Sequence, residues 1–397
     1  LNQDSDPLVQ ATLELHWGDR TLPLLTAHSL FSSSCVDDGT RLLLDHLPAG
    51  EPGRFLDLGC GYGALGLPVA ARFPRSRGLL VDRDLLAVEF TRRNAVAERI
   101  ENVEIAASLG YRDLSEEWKG FDWILCNIPA RAGEGVAENF LSEGRRRLLP
   151  GGQMRVVIIS PLASMLERVA RKRGFAFEQA AASSRHAVFA FPAAPTTREQ
   201  LAMDNKLTDE SYVRDTLQVT PRGLPEPLCL SRPTDLADEP HRLTDSISLL
   251  VENLPQEPPR RALVFRCGYG LCPALLLARY RDTEVVAVDR DLLSTTFTRR
   301  NCSSAGKRLR VEECLGLSRE RVGDAFDLIV GELSPPLGPE ATLEELHEVR
   351  QALAPGGRGL VLGLAKQWRE FLQSKAAALS IVRRQVRGSA ALYEMQR

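Results

Sequence analysis

A stretch of 41 residues from Arg54, RFLDLGCGYGALGLPVAARFPRSRGLLVDRDLLAVEFTRRN, aligns without a gap on RALVFRCGYGLCPALLLARYRDTEVVAVDRDLLSTTFTRRN from Arg261, with 19 identities. A repeat at an offset of about 207 residues in a chain of 397 implies one folding unit present twice, each copy long enough to bury a core of its own. The lead-ins repeat as well: LVQATLELHWGDRTLPLLT is echoed by YVRDTLQVTPRGLPEPLCL from Tyr212, and TRLLLDHLP by SISLLVENLP. Each half therefore opens with its own small strand-rich segment. FPAAPTTREQLAMDNKL, from Phe191, has the Pro, Ala and Thr content of a connector. The expected organisation is an N-terminal domain over 1–195, a linker over 196–205 and a C-terminal domain over 206–397.

Inside the first half, β-rich runs alternate with helical ones: RFLDL, ALGLPVAARF, GLLVDRD, DLLAVEFTRRNAVAERI, VEIAA, FDWILCN and QMRVVIIS. That alternation predicts an α/β fold with a mostly parallel sheet and helices on both faces. RVARKRGFAFEQAAASSRHAVFAF then reads as a helix and two strands close in sequence, which makes an antiparallel hairpin at one sheet edge. In such a sheet a ligand lies across the carboxyl ends of the strands.

Hydrophobic content of 44% and charged content of 26%, with no apolar run of 18 residues, exclude a helical membrane span and predict a soluble protein. LNQDSDPLVQ lacks the pattern of a secretory signal, so the expected location is cytoplasmic. Eight cysteines without a Cys-x-x-Cys pair read as free thiols, and no spacing of ligating residues, including His16, His28 and His46, predicts a metal site. Net charge is −2, and the clusters Arg145 to Arg147 and Arg171 to Arg173 read as solvated helix faces, with phosphate contact as the sharper alternative.

In LDLGCGYGALGL the glycines follow an apolar strand and precede a helix, so the backbone can pass close beneath a ligand. Gly61, Gly63 and Gly66 satisfy Gly-x-Gly-x-x-Gly, with Asp82 roughly 20 residues on, which keeps a nicotinamide dinucleotide open. Asp57, on the strand just before the loop, argues for a different ligand, because a carboxylate there repels a pyrophosphate and attracts an ammonium group. S-adenosylmethionine carries one. Asp82 can bind both ribose hydroxyls, and Asp84 is the better helix cap. After FDWIL comes Cys126, Asn127, Ile128, Pro129, Ala130, an amide and a rigid turn at a strand's carboxyl end. Taken alone it is a turn; at that place in the sheet, Asn127 and a neighbouring carbonyl can hold an amine.

These motifs together resemble the class I S-adenosylmethionine-dependent methyltransferases, in particular the small-domain group typified by ribosomal RNA guanine methyltransferases of the RsmC type. The family's lead-in is similar to FSSSCVDDGTRLLL, its cofactor loop to DLGCGYG and its Asn-Pro-Pro-Phe motif to Asn127 to Ala130. The resemblance implies two tandem Rossmann-like domains with seven-stranded sheets. It implies cofactor contacts at Phe31, Asp37 and Thr40 in the lead-in and at Asp57, Gly59, Cys60 and Gly61 in the loop. Asp82, Arg83, Ser108 and Asn127 complete the implied cofactor set, with Asn127, Ile128 and Pro129 at the methyl acceptor. The implied acceptor is an exocyclic amine, guanine in ribosomal or other RNA. Ala130 departs from the family by removing the aromatic of that motif, and the RsmC pattern places its working copy second, whereas here the intact copy comes first.

In the second copy Val264 replaces Asp57, Arg266 replaces Gly59, Glu332 replaces Asn127 and Ser334 replaces Pro129, while Asp289 keeps the place of Asp82. The expectation is one working domain beside a degenerate one that serves as substrate or structural platform. The alternatives are a methyltransferase of a protein or small molecule, and a scaffold in which neither domain is catalytic. Oligomeric state is not readable.

Overall fold

A computed structural model describes residues 6–194, 209–224, 226–236, 240–317, 322–323, 325–333, 338–366 and 378–397. The expected linker over 196–205 and Ser334 lie outside the described residues. The chain divides into two compact units, Val9–Val213 and Arg214–Arg397, the latter together with residues 6–8.

The first unit opens with an antiparallel hairpin, β1 (Val9–Trp17) and β2 (Arg20–Ala27), followed by the short helix α1 (Asp38–Leu44). A doubly wound arrangement follows, with β3 (Arg54–Leu58), α2 (Gly66–Arg72), β4 (Arg77–Asp82), α3 (Leu85–Ala97) and β5 (Val103–Ala107). The chain then crosses back through β6 (Phe121–Asn127), α4 (Gly133–Arg147), β7 (Leu148–Ile159) and α5 (Ser160–Lys172), and ends in the hairpin β8 (Glu178–Ala182) and β9 (His186–Pro192). The seven strands are ordered β5-β4-β3-β6-β7-β9-β8, all parallel except β9, which runs against both β7 and β8. The order reverses at β3 and β6, so the ligand crevice of an open α/β sheet falls between the ends of those two strands.

Phe55, Leu80, Ile124, Val156 and Phe189 are fully buried on the central strands, each side chain stabilising the unit by about 1.5 to 3 kcal/mol. The break between β4 and α3 is set by Asp84, whose carboxylate accepts from the Leu86 amide at 2.9 Å as the helix N-cap.

The second unit repeats the plan: a hairpin lead-in, β10 (Val213–Val219) and β11 (Leu228–Pro233), then α6 (Pro240–Asn253), β12 (Arg261–Phe265), α7 (Leu271–Arg279), β13 (Glu284–Asp289) and α8 (Leu292–Asn301). β14 (Leu309–Glu313), β15 (Phe326–Glu332), α9 (Pro339–Ala352), β16 (Leu353–Leu364), β17 (Ile381–Arg387) and β18 (Ala390–Gln396) complete a seven-stranded sheet of the same topology, β14-β13-β12-β15-β16-β18-β17.

The TRRN ending of the repeat has a structural explanation. The Asn94 side-chain amide donates to the carbonyls of Leu25 and Tyr62 at 3.0 and 2.8 Å, and its oxygen accepts from the Leu25 amide at 2.8 Å. One buried side chain thus ties the lead-in hairpin to the Gly-rich loop. Asn301 does the same in the second unit with Ser231 and Tyr269. Residues shared by both copies can therefore be required by the fold alone.

Candidate functional site

The sequence brings its candidate groups to one end of the first sheet. Asp57, Asp82, Ser108 and Asn127 lie at or next to the carboxyl ends of β3, β4, β5 and β6. β9, antiparallel, adds its first residue, His186, paired with Ile159 at the end of β7.

The Gly-rich loop is held by its own amides. Gly59 and Cys60 donate to the Val81 carbonyl at 2.8 and 2.9 Å, Gly63 donates to Cys60 at 2.8 Å, and Gly61 donates to Asp82 Oδ2 at 2.9 Å. Gly59 and Gly61 both have positive φ, +83° and +57°, and a Cβ on either would meet no atom within 4 Å. That is space for a ligand over a loop with few donors left to give. A pyrophosphate needs those free N–H groups, so the loop geometry disfavours the dinucleotide alternative.

What the strand beneath the loop offers is an acceptor. Asp57 is fully buried, and neither carboxylate oxygen has a hydrogen-bond partner of good geometry. Burial pushes its pKa from 3.8 up to about 7, with Asp82 adding to the rise and the nearby Gly66 amide opposing it. An orphaned carboxylate costs free energy until a cation reaches it. The ammonium of an amino-acid ligand fits that requirement.

Asp82 is already in use: besides Gly61, it accepts from the Asp84 amide at 3.0 Å. Asp289 makes the same two bonds, from Gly268 at 3.0 Å and Asp291 at 3.1 Å. Its retention in the second copy is thus explained by loop architecture. Cys60 is buried with Sγ 3.6 Å from Thr91 Oγ1, which leaves only its backbone for a ligand. Ser108 is also turned inward, donating to the Gly110 carbonyl at 2.8 Å. Arg83, partly buried, follows Asp82. Phe31 is 69% exposed in the segment whose Ser32 carbonyl accepts from the Tyr62 hydroxyl of the loop at 3.4 Å.

Asn127 is oriented by the lead-in. Its Nδ2 donates to Asp37 Oδ2 at 2.9 Å and to Thr40 Oγ1 at 3.1 Å. Because a carboxylate only accepts, this fixes the carboxamide with its nitrogen toward α1 and its oxygen away from it. Asp37 also caps α1 through the Thr40 amide at 3.0 Å. Asp37 and Thr40, implied as cofactor contacts, thus bear directly on Asn127. The Ile128 amide is held by the Val157 carbonyl at 3.0 Å, and Pro129 is exposed. His186 belongs to no motif of the sequence; its ring nitrogen lies 3.8 Å from Asp37 Oδ1.

The arginine clusters are largely neutralised. Arg146 and Arg147 pair with Glu143, Arg171 with Glu167 and Arg173 with Glu138, while Arg145 is buried and donates to the Pro192 carbonyl at 2.9 Å. All eight cysteines are free thiols. Among the described residues no group of His, Cys, Asp or Glu could hold a metal ion, and no helix is long and apolar enough to cross a membrane.

In the second unit the loop position equivalent to Gly59 carries a long side chain held to a helix. Arg266 keeps a positive φ of 50°, and its guanidinium donates twice to Glu345 of α9, at 2.9 and 2.7 Å. Burial pushes the Glu345 carboxyl upward against the pull of Arg266. Val264 stands where Asp57 does in the first unit, so the strand beneath this loop carries no carboxylate at that position.

The fold and the crevice are those of the class I methyltransferases, and the chain belongs to the methyltransferase small domain family, whose model matches residues 21–188 and again 241–383. The ribosomal RNA small subunit methyltransferase C of Hahella chejuensis is 37% identical over 141 residues, 34% of this chain and 40% of that protein. The ribosomal RNA large subunit methyltransferase G of Shewanella loihica is 31% identical over 157 residues, 36% of this chain and 39% of that protein. The chain thus matches about two fifths of the length of these relatives. Among solved structures, the Thermus thermophilus 16S rRNA N2 methyltransferase RsmC, in complex with AdoMet and guanosine, aligns over 100% of both chains with a TM-score of 0.68 and 16% identity, a likeness of fold.

Proposed function

We propose that the first unit transfers a methyl group from S-adenosylmethionine to the exocyclic amine of a guanine in ribosomal RNA. The observation that carries this reading is the pairing of an orphaned buried carboxylate, Asp57, under an open loop with a carboxamide, Asn127, whose oxygen is turned away from α1. The first calls for a cation, the second for an N–H donor. Relatives matched over part of their length are named as ribosomal RNA methyltransferases, which supports the substrate class.

When bound, S-adenosylmethionine supplies a methyl group already activated by its sulfonium charge. Asp57 neutralises the ligand's ammonium group, and Asp82 accepts from ribose hydroxyls while still bracing the loop. Asn127 Oδ1 and the Ile128 carbonyl accept the two N–H bonds of the amine, which aims the nitrogen lone pair along one line. Alignment within about 3 to 3.5 Å provides most of the rate, so the work of the protein here is positioning.

We further propose that the two domains run over 1–195 and 206–397, that the second serves as a platform without cofactor, and that the protein works in the cytoplasm. The test compares nucleosides from ribosomal RNA of cells with and without the protein by mass spectrometry. Loss of one methylguanosine, restored by the wild-type chain and not by Asn127→Ala, supports the reading. An unchanged nucleoside profile, with cofactor binding intact, overturns the RNA assignment in favour of a protein or small-molecule acceptor.

A further inference from the structure

We infer that His186 is a positioning residue for methyl transfer, acting on Asn127 through Asp37, and that Gly39 is a glycine in order to admit its ring. The inference rests on the methyltransferase reading above and extends it to a residue outside every motif of the sequence.

Three observations converge. First, His186 is 8% exposed, and its Nδ1 is buried without a partner, a costly state for a side chain placed only for packing. Its Nε2 faces Asp37 Oδ1 at 3.8 Å, while Asp37 Oδ2 takes the Asn127 amide at 2.9 Å. The two oxygens of one carboxylate therefore look toward the two side chains, and a turn of Asp37 about its last bond turns the Asn127 carboxamide with it.

Second, the ring is fitted into the first turn of α1. A Cβ on Gly39 would lie 2.8 Å from His186 Cδ2 and 2.8 Å from Asp37 Oδ2. Any side chain there pushes on both members of the pair. The turn carrying His186 is itself anchored, since the His186 amide donates to Ser183 Oγ at 3.0 Å and Arg185 pairs with Asp38, the neighbour of Asp37.

Third, the second copy has lost the set together. At the repeat offset Thr244 stands for Asp37 and Ser246 for Gly39, and with β15 laid on β6 from their first residues Glu332 stands for Asn127. Ala390 opens β18 opposite the last residue of β16, as His186 opens β9 opposite the last residue of β7. The loop clamps Asn301 and Asp289 persist in the same copy. A residue needed for the fold would be expected among the clamps. His186 sits among the losses.

The test uses the full chain with His186→Ala, His186→Gln, Gly39→Ala, Asn127→Ala and the His186→Ala/Asn127→Ala pair. Activity is read with radiolabelled S-adenosylmethionine on ribosomal RNA from cells lacking the protein. In the free protein, the side-chain amide signals of Asn127 are followed by NMR after selective 15N labelling of asparagine. His186→Ala and Gly39→Ala are expected to lower kcat about 100-fold, with KM and cofactor affinity within about twofold, because a misaligned nucleophile loses rate and not binding. His186→Gln, which keeps a donor within reach of Asp37, is expected to recover most of that loss. In the Asn127→Ala background, His186→Ala should cost nothing further, and the Asn127 amide signals should broaden or shift in His186→Ala alone.

Equal losses in both backgrounds, or a loss carried by cofactor affinity, would overturn the inference in favour of a packing role. Should Gly39→Ala fail to fold, the His186 pair and the cycle with Asn127 decide alone. If the wild-type chain methylates no RNA while the Asn127 signals still respond to His186, the substrate reading fails and the coupling stands. Unchanged signals with an active wild type refute the coupling.

Discussion

Asp57→Asn probes the cofactor cradle through the pH dependence of the free protein. With a pKa of about 7 in the folded chain against 3.8 as the reference, the carboxyl is neutral in both states below about pH 4 and costs nothing there. As the pH rises, the unfolded chain ionises first, so stability falls by about 1.4 kcal/mol per unit until the folded carboxyl also ionises, a total of about 4 kcal/mol. Asparagine does not titrate. Whatever fixed offset the substitution brings, the variant should gain on the wild type by about 4 kcal/mol between roughly pH 4 and 8. Urea unfolding followed by tryptophan fluorescence reads this, since Trp17, Trp118 and Trp123 of the four tryptophans lie in the first unit. Affinity for S-adenosylmethionine should rise with pH toward about 7 in the wild type as Asp57 ionises, and should be weaker and flat over that range in the variant. Parallel stability curves for the two proteins, or equal cofactor affinity, would refute the assignment of Asp57 as an unpaired carboxylate awaiting a cation.

Asn94→Ala should lower the stability of the first unit by about 2 to 4 kcal/mol in thermal unfolding, from three hydrogen bonds lost at a buried site, and Asn301→Ala should do the same to the second. Arg266→Ala should destabilise the second unit by about 1 to 3 kcal/mol near neutral pH and by less as the pH falls, because burial already favours the protonated form of Glu345. Calorimetric titration of the full chain with S-adenosylmethionine should saturate at about one equivalent, because Val264 and Arg266 replace Asp57 and Gly59 in the second unit; two equivalents would show that the second unit takes the ligand despite these replacements.

Local pattern makes much of the fold legible in the chain itself. FDWILCN is β6 from its first residue to its last, Asp84 caps α3, and the closing strands form the antiparallel edge. The family match and the repeated topology follow the expectation from the duplicated Gly-rich unit. Readable in principle is the neutralisation of Arg146, Arg147 and Arg171 by glutamates three or four positions earlier. Arg173 is not, because Glu138 reaches it from another helix, α4. His186 is invisible for the same reason: it stands in SSRHAVFAF with no motif around it, and only the return of β9 brings it 149 positions back to Asp37. Nor does sequence reveal which loop amides are already satisfied. The repeat hints at it, by keeping Asp289 in a copy stripped of other ligand groups, but the bonds to Gly268 and Asp291 are what explain that persistence.

A loop that satisfies most of its own N–H groups before anything binds is a nearly finished mould. On the proposed reading, entry of the methyl donor carries little ordering entropy, and the mould presents the same contours to the demethylated product, which differs by one methyl and the sulfonium charge. Discrimination between fresh and spent ligand has little structural purchase at Gly59 to Gly63. Product inhibition near the level of donor affinity, and turnover paced by departure of the thioether, are the kinetic signature to expect of so rigid a cradle.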